Sequence, residues 1–356
     1  MILLRVGASP GALAIPDVAS EIAGTDNRVE VILGQSARHV VGPAAFRDVA
    51  VVNGPSETPK AVLFAPAPAD ILARLARGMD TRLSPSTVVA PDLDSGTASH
   101  PAVRENLKLL QEDGYRIVEG REGGMASANE IVAWVLGSLG GPMSGLRLLV
   151  TAGGTREPID SVRFIGNRSS GRMGLAVARE ALRLGAEVTV VAANVDRVEP
   201  GTMNHTVETV EELREAVLYR AADADALVMA AAVSDFTPAS QVREKIRRSS
   251  GTTSLELAPT ADILEAVRER YPELFVVGFA ATHGDPVADA REKLAKKGAN
   301  LVVGNDISRA GVGFGAAENE VYVVGRENER FVPRASKEQV ARVILDSMIA
   351  EMDEER

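Results

Sequence analysis

Apolar runs the length of single strands alternate with stretches of helical period along most of the chain. In the N-terminal part, Met1–Val6, Val29–Leu33, Ala61–Phe64, Thr87–Ala90 and Arg116–Val118 read as strands. Ile71–Arg77 and Val103–Asp113 place apolar residues at helical spacing between them. The C-terminal part repeats the pattern. Its strands are Leu146–Val150, Glu187–Ala193, Ala226–Ala231, Phe275–Phe279, Leu301–Val303 and Glu320–Val324. Its helices are Gly171–Leu184, Val210–Arg220, Ala261–Arg270 and Pro286–Lys297. Such alternation predicts parallel sheets covered on both faces, with ligand sites at the carboxyl ends of the strands.

The clearest break in the pattern is Gly137–Gly145, where glycine, serine and proline dominate. Two α/β domains are therefore expected, at residues 1–140 and 146–356, with a charged tail over Glu351–Arg356 that frays.

Composition narrows the chemistry. A net charge of −10 argues against nucleic acid as a general partner, since a phosphate backbone demands a basic surface. The chain has no cysteine, which excludes disulfides, thiolate metal sites and cysteine nucleophiles. No apolar stretch approaches the ~20 residues that span a bilayer, and MILLRVGAS turns polar too soon for a signal peptide. The expectation is a cytoplasmic protein without membrane or nucleic-acid partners.

The densest chemical signal is Val150–Gly174. A buried strand ends in Gly153 and Gly154, a tight turn; Asn167, Ser169, Ser170 and Gly171 then lead into a helix. Small hydroxyls and unsatisfied amides at a helix start hold anions, helped by the helix dipole. Arg156, Arg163, Arg168 and Arg172 add positive charge to the same segment. An ordinary dinucleotide turn would pack its glycines directly between strand and helix and end the second strand on an acid. Here a long insertion separates Gly154 from Gly171, and Glu187–Ala193 runs into Asn194, with Asp196 arriving late.

From Leu146 onward the sequence resembles the phosphopantothenate–cysteine ligase family of coenzyme A biosynthesis. The resemblance covers TAGGTREPIDSVRFIGNRSSGRMG, AAVSDF, the REKI segment, GFAAT, KKGANLVVGNDIS and GVGFGAAENEV, in the family's order. It implies a Rossmann-like ligase domain that pairs as a homodimer and, in bacteria, follows a flavodoxin-like flavin decarboxylase. It further implies a two-step reaction of 4′-phosphopantothenate, CTP and L-cysteine through an acyl-cytidylate, with Mg²⁺ carried mainly by the nucleotide phosphates.

Carried over residue by residue, the resemblance places Asn167 on the acyl-cytidylate and Asp235 at the nucleotide. It sets Lys245 on the triphosphate and makes Met229, Ala230 and Ala231 the strand end beside it. Ala261, Asp262, Ile263 and Leu264 match the base-binding segment, and Phe279, Lys293 and Lys297 further nucleotide contacts. Gly153, Gly154, Arg163, Ser169, Ser170 and Gly171 form the phosphate and substrate loop. Taken alone, Asn167 reads equally as a helix N-cap, and REKIRR as a solvated charged face. Lys293 and Lys297 share one helix face, where like charges repel unless an anion sits between them. Two positions depart from the family: Ala261 replaces a proline, and Thr282 stands where a glutamate is usual.

The first domain resembles the flavin decarboxylase partner in patches, LFAPAPADILARLARGM and VVAPDLDSGTASHPAVRENLKLLQEDGYRIV. Its chemical residues are missing. Asp94 replaces the motif asparagine, no histidine occurs between His39 and His100, and no cysteine exists to clamp substrate. Pro10 and Pro16 remove amide donors from the N-terminal turn. The expectation is a domain without decarboxylation and without FMN, left to scaffolding, assembly or regulation. A bifunctional enzyme, a nicotinamide oxidoreductase and a non-catalytic nucleotide-binding regulator stand as alternatives.

Overall fold

The computed structural model describes residues 1–25, 27–80, 84, 86–120, 124–195, 202–240, 244–246, 254–308, 316 and 318–354. The chain forms two compact units, one of Met1–Ser144 with Leu182–Ala186, the other of Gly145–Ala181 with Glu187–Arg356.

The first unit is a parallel six-stranded sheet in the order β3-β2-β1-β4-β5-β6. Its strands are β1 (Ile2–Val6), β2 (Val29–Leu33), β3 (Ala50–Val51), β4 (Ala61–Ala67), β5 (Ser86–Pro91) and β6 (Arg116–Ile117). Helices α1 (Ile15–Ala23), α2 (Ala69–Ala76), α3 (Ser95–Ser99), α4 (Pro101–Glu112) and α5 (Ala128–Ser138) connect and cover them. One apolar layer joins Ile15, Val18 and Ile22 of α1 and Ile131 and Val135 of α5 to Ile2, Leu4 and Leu63 of the sheet. The other face packs Leu72 and Leu75 of α2 and Leu110 of α4 on Leu3, Val62 and Phe64. The alternation of Leu3 and Leu4 to opposite layers is the period-two rule of a strand buried on both faces.

The second unit is an eight-stranded sheet in the order β11-β10-β7-β12-β15-β16-β17-β18. Its parallel part comprises β7 (Arg147–Gly153), β10 (Glu187–Ala193), β11 (Met203–Val207), β12 (Ala226–Met229), β15 (Phe275–Thr282) and β16 (Leu301–Asp306). Strands β17 (Glu318–Val324) and β18 (Glu329–Ser336) continue it antiparallel. Helices are α6 (Arg172–Arg183), α7 (Val210–Ala221), α8 (Ile263–Arg270), α9 (Pro286–Lys297) and α10 (Lys337–Glu354). Leu213, Ile263, Val267 and Ala290 bring α7, α8 and α9 into one core layer. Helices α6 and α10 are joined by Arg342–Glu180 at 3.0 Å and Arg179–Glu338 at 3.5 Å. Two small antiparallel pairs stand apart from the sheet, β8 (Arg156–Pro158) with β9 (Phe164–Gly166) and β13 (Phe236–Pro238) with β14 (Leu257–Pro259).

The α/β class and the two-unit organisation agree with the sequence pattern, with four differences. The second sheet is mixed, because β17 pairs antiparallel with β16 and β18 antiparallel with β17 at its edge. The glycine-rich break begins two residues inside a helix, since α5 runs through Gly137 and Ser138. Glu351–Glu354 continue α10 rather than fraying. Helices α1, α3, α5 and α10, strands β3, β11 and β18 and the two small hairpins lie outside the predicted elements.

Candidate functional site

The turn that closes β7 sets the geometry. Gly153 adopts φ +90 and Gly171 φ +71, a backbone region that favours glycine. A Cβ on Gly153 would lie 1.9 Å from the carbonyl oxygen of Ala193. The chain then lays its loop against the segment after β12. Ala232 donates to the Gly153 carbonyl at 2.8 Å, and the Thr151 and Thr155 hydroxyls accept from the amides of Ala231 and Ser234. Thr260 donates its hydroxyl to the Ser234 carbonyl at 2.6 Å and its amide to the Asp235 carbonyl at 3.0 Å. Buried Thr151 and Thr155 and half-buried Thr260 thus hold three loops in register at the carboxyl edge of the sheet. These threonines are a part of the site that sequence reasoning missed; TAGGT shows them in the glycine turn, without a charge to draw the eye.

A cavity of about 510 Å³ opens between those loops. Of the expected residues it is lined by Asn167, Ser169, Ser170, Gly171, Met229, Ala230, Ala231, Asp235, Ala261, Asp262, Ile263, Leu264, Phe279, Lys293 and Lys297. Gly153, Gly154, Arg163 and Lys245 are not in its lining. Gly154 donates its amide to the Ala193 carbonyl, so with Gly153 it shapes the turn from behind. Arg163 bridges Asp160 and the Ile246 carbonyl, and the Ile246 amide returns to Asp160 at 3.2 Å. Lys245, beside that tether, is exposed. Asp196 and much of the GVGFGAAENEV block lie outside the described residues.

Asn167 is not an N-cap. Helix α6 begins at Arg172, and the Asn167 side-chain amide donates instead to the Val233 carbonyl at 2.7 Å. The lysine pair is divided between two partners. Lys293 donates to the Phe279 carbonyl, while Lys297 meets Asp262, which also caps α8 by accepting from Glu265 at 3.0 Å. Burial pushes Lys293 below the ordinary lysine range against the pull of Asp262 and Asp235. Burial would raise Asp262, but the hydrogen bonds from Lys297 and the Glu265 amide outweigh it and the carboxyl is lowered. The Asp262 hydrogen bond raises Lys297. The result is a wall on which Lys293, Lys297 and Asp262 are held in place by hydrogen bonds before an anion arrives.

In the first unit the corresponding edge carries different chemistry. The Asp92 carboxylate accepts from the Ser9 hydroxyl, from the Gly11 amide at 2.9 Å and from the Met125 amide at 3.1 Å. Its own carboxylate fills the turn after β1, where an amide nest would face an anion. Asp94 caps α3 through Thr97, and His100 caps α4 by accepting from the Ala102 amide at 3.2 Å. Both side chains sit at helix starts.

The family described as DNA/pantothenate metabolism flavoprotein C-terminal domain matches residues 143–352. The coenzyme A biosynthesis bifunctional protein CoaBC of Bacillus subtilis is 32% identical, over 94% of this chain and 92% of its own. The protein of the same name from Mycobacterium tuberculosis is 35% identical, over 97% and 95%. The crystal structure of the C-terminal domain of a coenzyme A biosynthesis bifunctional protein CoaBC superposes with a TM-score of 0.52 at 32% identity, over 60% of this chain and 98% of that one. The chain belongs to this family of coenzyme A biosynthesis bifunctional proteins.

Proposed function

We propose that residues 146–356 join 4′-phosphopantothenate to L-cysteine with CTP, and that this is the working half of the chain. The observation that carries the reading is one cavity shared by Asn167, Asp235, Asp262, Phe279, Lys293 and Lys297. In the first step a carboxylate oxygen of the acid attacks the α-phosphorus of CTP, and pyrophosphate leaves. In the second the cysteine amine attacks the acyl carbon, the C–O bond to CMP breaks, and the amine proton passes to solvent.

The residues divide along those steps. Lys293 and Lys297 neutralise the triphosphate, while the strand end Met229–Ala231 and the segment Ala261–Leu264 bound the nucleoside. Asn167 keeps one side-chain N–H for the acyl oxygen while the other holds Val233. A neutral donor there stabilises the oxyanion without competing for the amine's lone pair. Lys245 is assigned to the triphosphate on the resemblance. Mg²⁺ is assigned to the nucleotide phosphates on the resemblance, where it would supply charge neutralisation.

The ligase unit works as a homodimer in this reading. Val162 and Phe164 on the β8–β9 hairpin and Phe236 and Leu257 on β13 and β14 are at least 40% exposed. Bulky apolar groups left on two small hairpins mark a surface for a second copy. The first unit binds no FMN. Asp92 already holds the donors that a flavin phosphate would need, and two anions cannot share them.

Pyrophosphate release from CTP and 4′-phosphopantothenate, with and without L-cysteine, tests the reading on the full chain. Cysteine-dependent turnover is expected. Absence of release with either CTP or ATP would overturn it.

A further inference from the structure

One buried carboxylate of the ligase unit serves more than its own turn. Asp160 sits between β8 and β9, and its side chain is fully shielded from solvent. Its Oδ1 accepts from the amides of Val162 at 2.9 Å and Arg163 at 2.8 Å. An aspartate that closes a turn in this way needs no further partner. Oδ2 has a different use. It accepts from the Ile246 amide at 3.2 Å and meets the Arg163 guanidinium at 3.0 Å. The same guanidinium nitrogen donates to the Ile246 carbonyl at 2.6 Å. Both backbone groups of one residue, 86 positions away in sequence, are thereby gripped.

The grip is charged and its base is fixed. Burial would raise the Asp160 carboxyl, but the amides of Val162, Arg163 and Ile246 and the charge of Arg163 outweigh it, and the carboxyl is lowered. The Arg156 amide donates to the Glu208 carbonyl at 2.9 Å, and the buried Glu157 carboxylate accepts from the Val210 amide at 2.8 Å. These bonds fasten β8 to the start of α7. Strand β9 ends at Gly166 and runs directly into Asn167 at the cavity wall. One hairpin therefore carries Asn167 at its end and, through Asp160, holds Ile246, the residue that follows Lys245. Paired bonds to the N–H and C=O of a single residue fix its register as one bond does not.

We infer that Asp160 is a positioning residue for the first chemical step, fixing the backbone beside Lys245 so that its ammonium meets the triphosphate from a set origin. The inference rests on the ligase reading, in which Lys245 serves the nucleotide. Asp160 touches no substrate and acts through Arg163 and Ile246.

The test uses the full chain and its Asp160→Asn variant. Asparagine keeps a carbonyl oxygen for the Val162 and Arg163 amides, so the turn survives and native circular dichroism is expected. Its NH₂ group stands in place of Oδ2 and cannot accept from Ile246 or pair with Arg163. Single-turnover release of pyrophosphate from CTP and 4′-phosphopantothenate should fall roughly tenfold to a hundredfold, the range for a misplaced reacting group. Added to Lys245→Gln, the same change should cost less than about twofold more, because the two substitutions remove one function. Trypsin should cut the Lys245–Ile246 bond at least about tenfold faster in Asp160→Asn, the size of a released hydrogen bond to a charged group. Pyrophosphate release at the wild-type rate would leave Asp160 a turn residue and overturn the inference. So would a loss that multiplies in full with that of Lys245→Gln, since Asp160 would then act apart from the lysine. A slowed first step with cleavage unchanged would place the loss elsewhere than at Ile246 and overturn it as well. An inactive wild type would refute the ligase reading and this role with it; the cleavage rates need no turnover and judge the tether alone.

Discussion

The side-chain amide of Asn167 donates to the carbonyl oxygen of Val233 across 2.7 Å. This bond ties the loop before α6 to the loop after β12, the two segments that face the acyl group in the proposed reaction. It fixes the amide plane before substrate arrives, so the remaining N–H acts as a positioned donor. Asn167→Ala should still release pyrophosphate but form the amide about 10²–10³-fold more slowly, the usual loss for one oxyanion donor. Quenched-flow assay of pyrophosphate and amide separates the two steps. Equal loss of both would assign Asn167 to nucleotide binding instead.

Lys293 gives the site a pH dependence. Burial lowers its pKa, so it gives up its proton at lower pH than an ordinary lysine at ~10.4. CTP affinity should fall on the alkaline side before that value, and Lys293→Met should bind CTP weakly at every pH and lack that limb. The sign for stability is opposite. The unfolded chain holds the proton more tightly, so this lysine opposes folding most below its folded pKa and least above its unfolded one. Titration of CTP binding between pH 7 and pH 10 reads the effect; a flat profile in wild type would contradict it.

Asp92 makes the first unit a test of loss. Full-length protein should purify colourless and take up no FMN on titration. Asp92→Ala frees the Ser9 hydroxyl and the Gly11 amide and should be the variant in which weak FMN binding first appears. Decarboxylation should remain absent in both, since the motif asparagine, the histidine and the cysteine are missing together. A yellow wild-type protein would refute the proposal.

The parts of the fold that could be read in advance are those whose pattern exceeds one turn or one strand. Glu187–Ala193 and Pro286–Lys297 match their predicted limits because a β-branched run and an apolar stripe with Gly298 behind it leave little choice. Three-residue strands such as Arg156–Pro158 fall below any periodic window and exist through pairing alone. Strand β18 hides in ERFVPRAS, where edge exposure tolerates charges and Pro333. In the site, Asn167 and the α9 lysines were identifiable from a motif. Lys337, which also lines the cavity and is buried, was not, because SKEQV reads as a solvated helix start and its burial comes from residues distant in sequence.

The exposed hairpin residues predict assembly. Phe164→Glu together with Phe236→Glu should shift sedimentation of the full chain from dimer to monomer while its circular dichroism stays native. A wild type that sediments as a monomer would assign those surfaces to another partner.

The most direct test follows an oxygen atom. 4′-Phosphopantothenate labelled with ¹⁸O in its carboxylate is turned over with CTP and L-cysteine, and the products are weighed by mass spectrometry. An acyl-cytidylate leaves one labelled oxygen in CMP, because the bridging oxygen departs with the nucleotide. Label in CMP is the expected result. Label in inorganic phosphate, or unlabelled CMP with amide formed, would contradict the account.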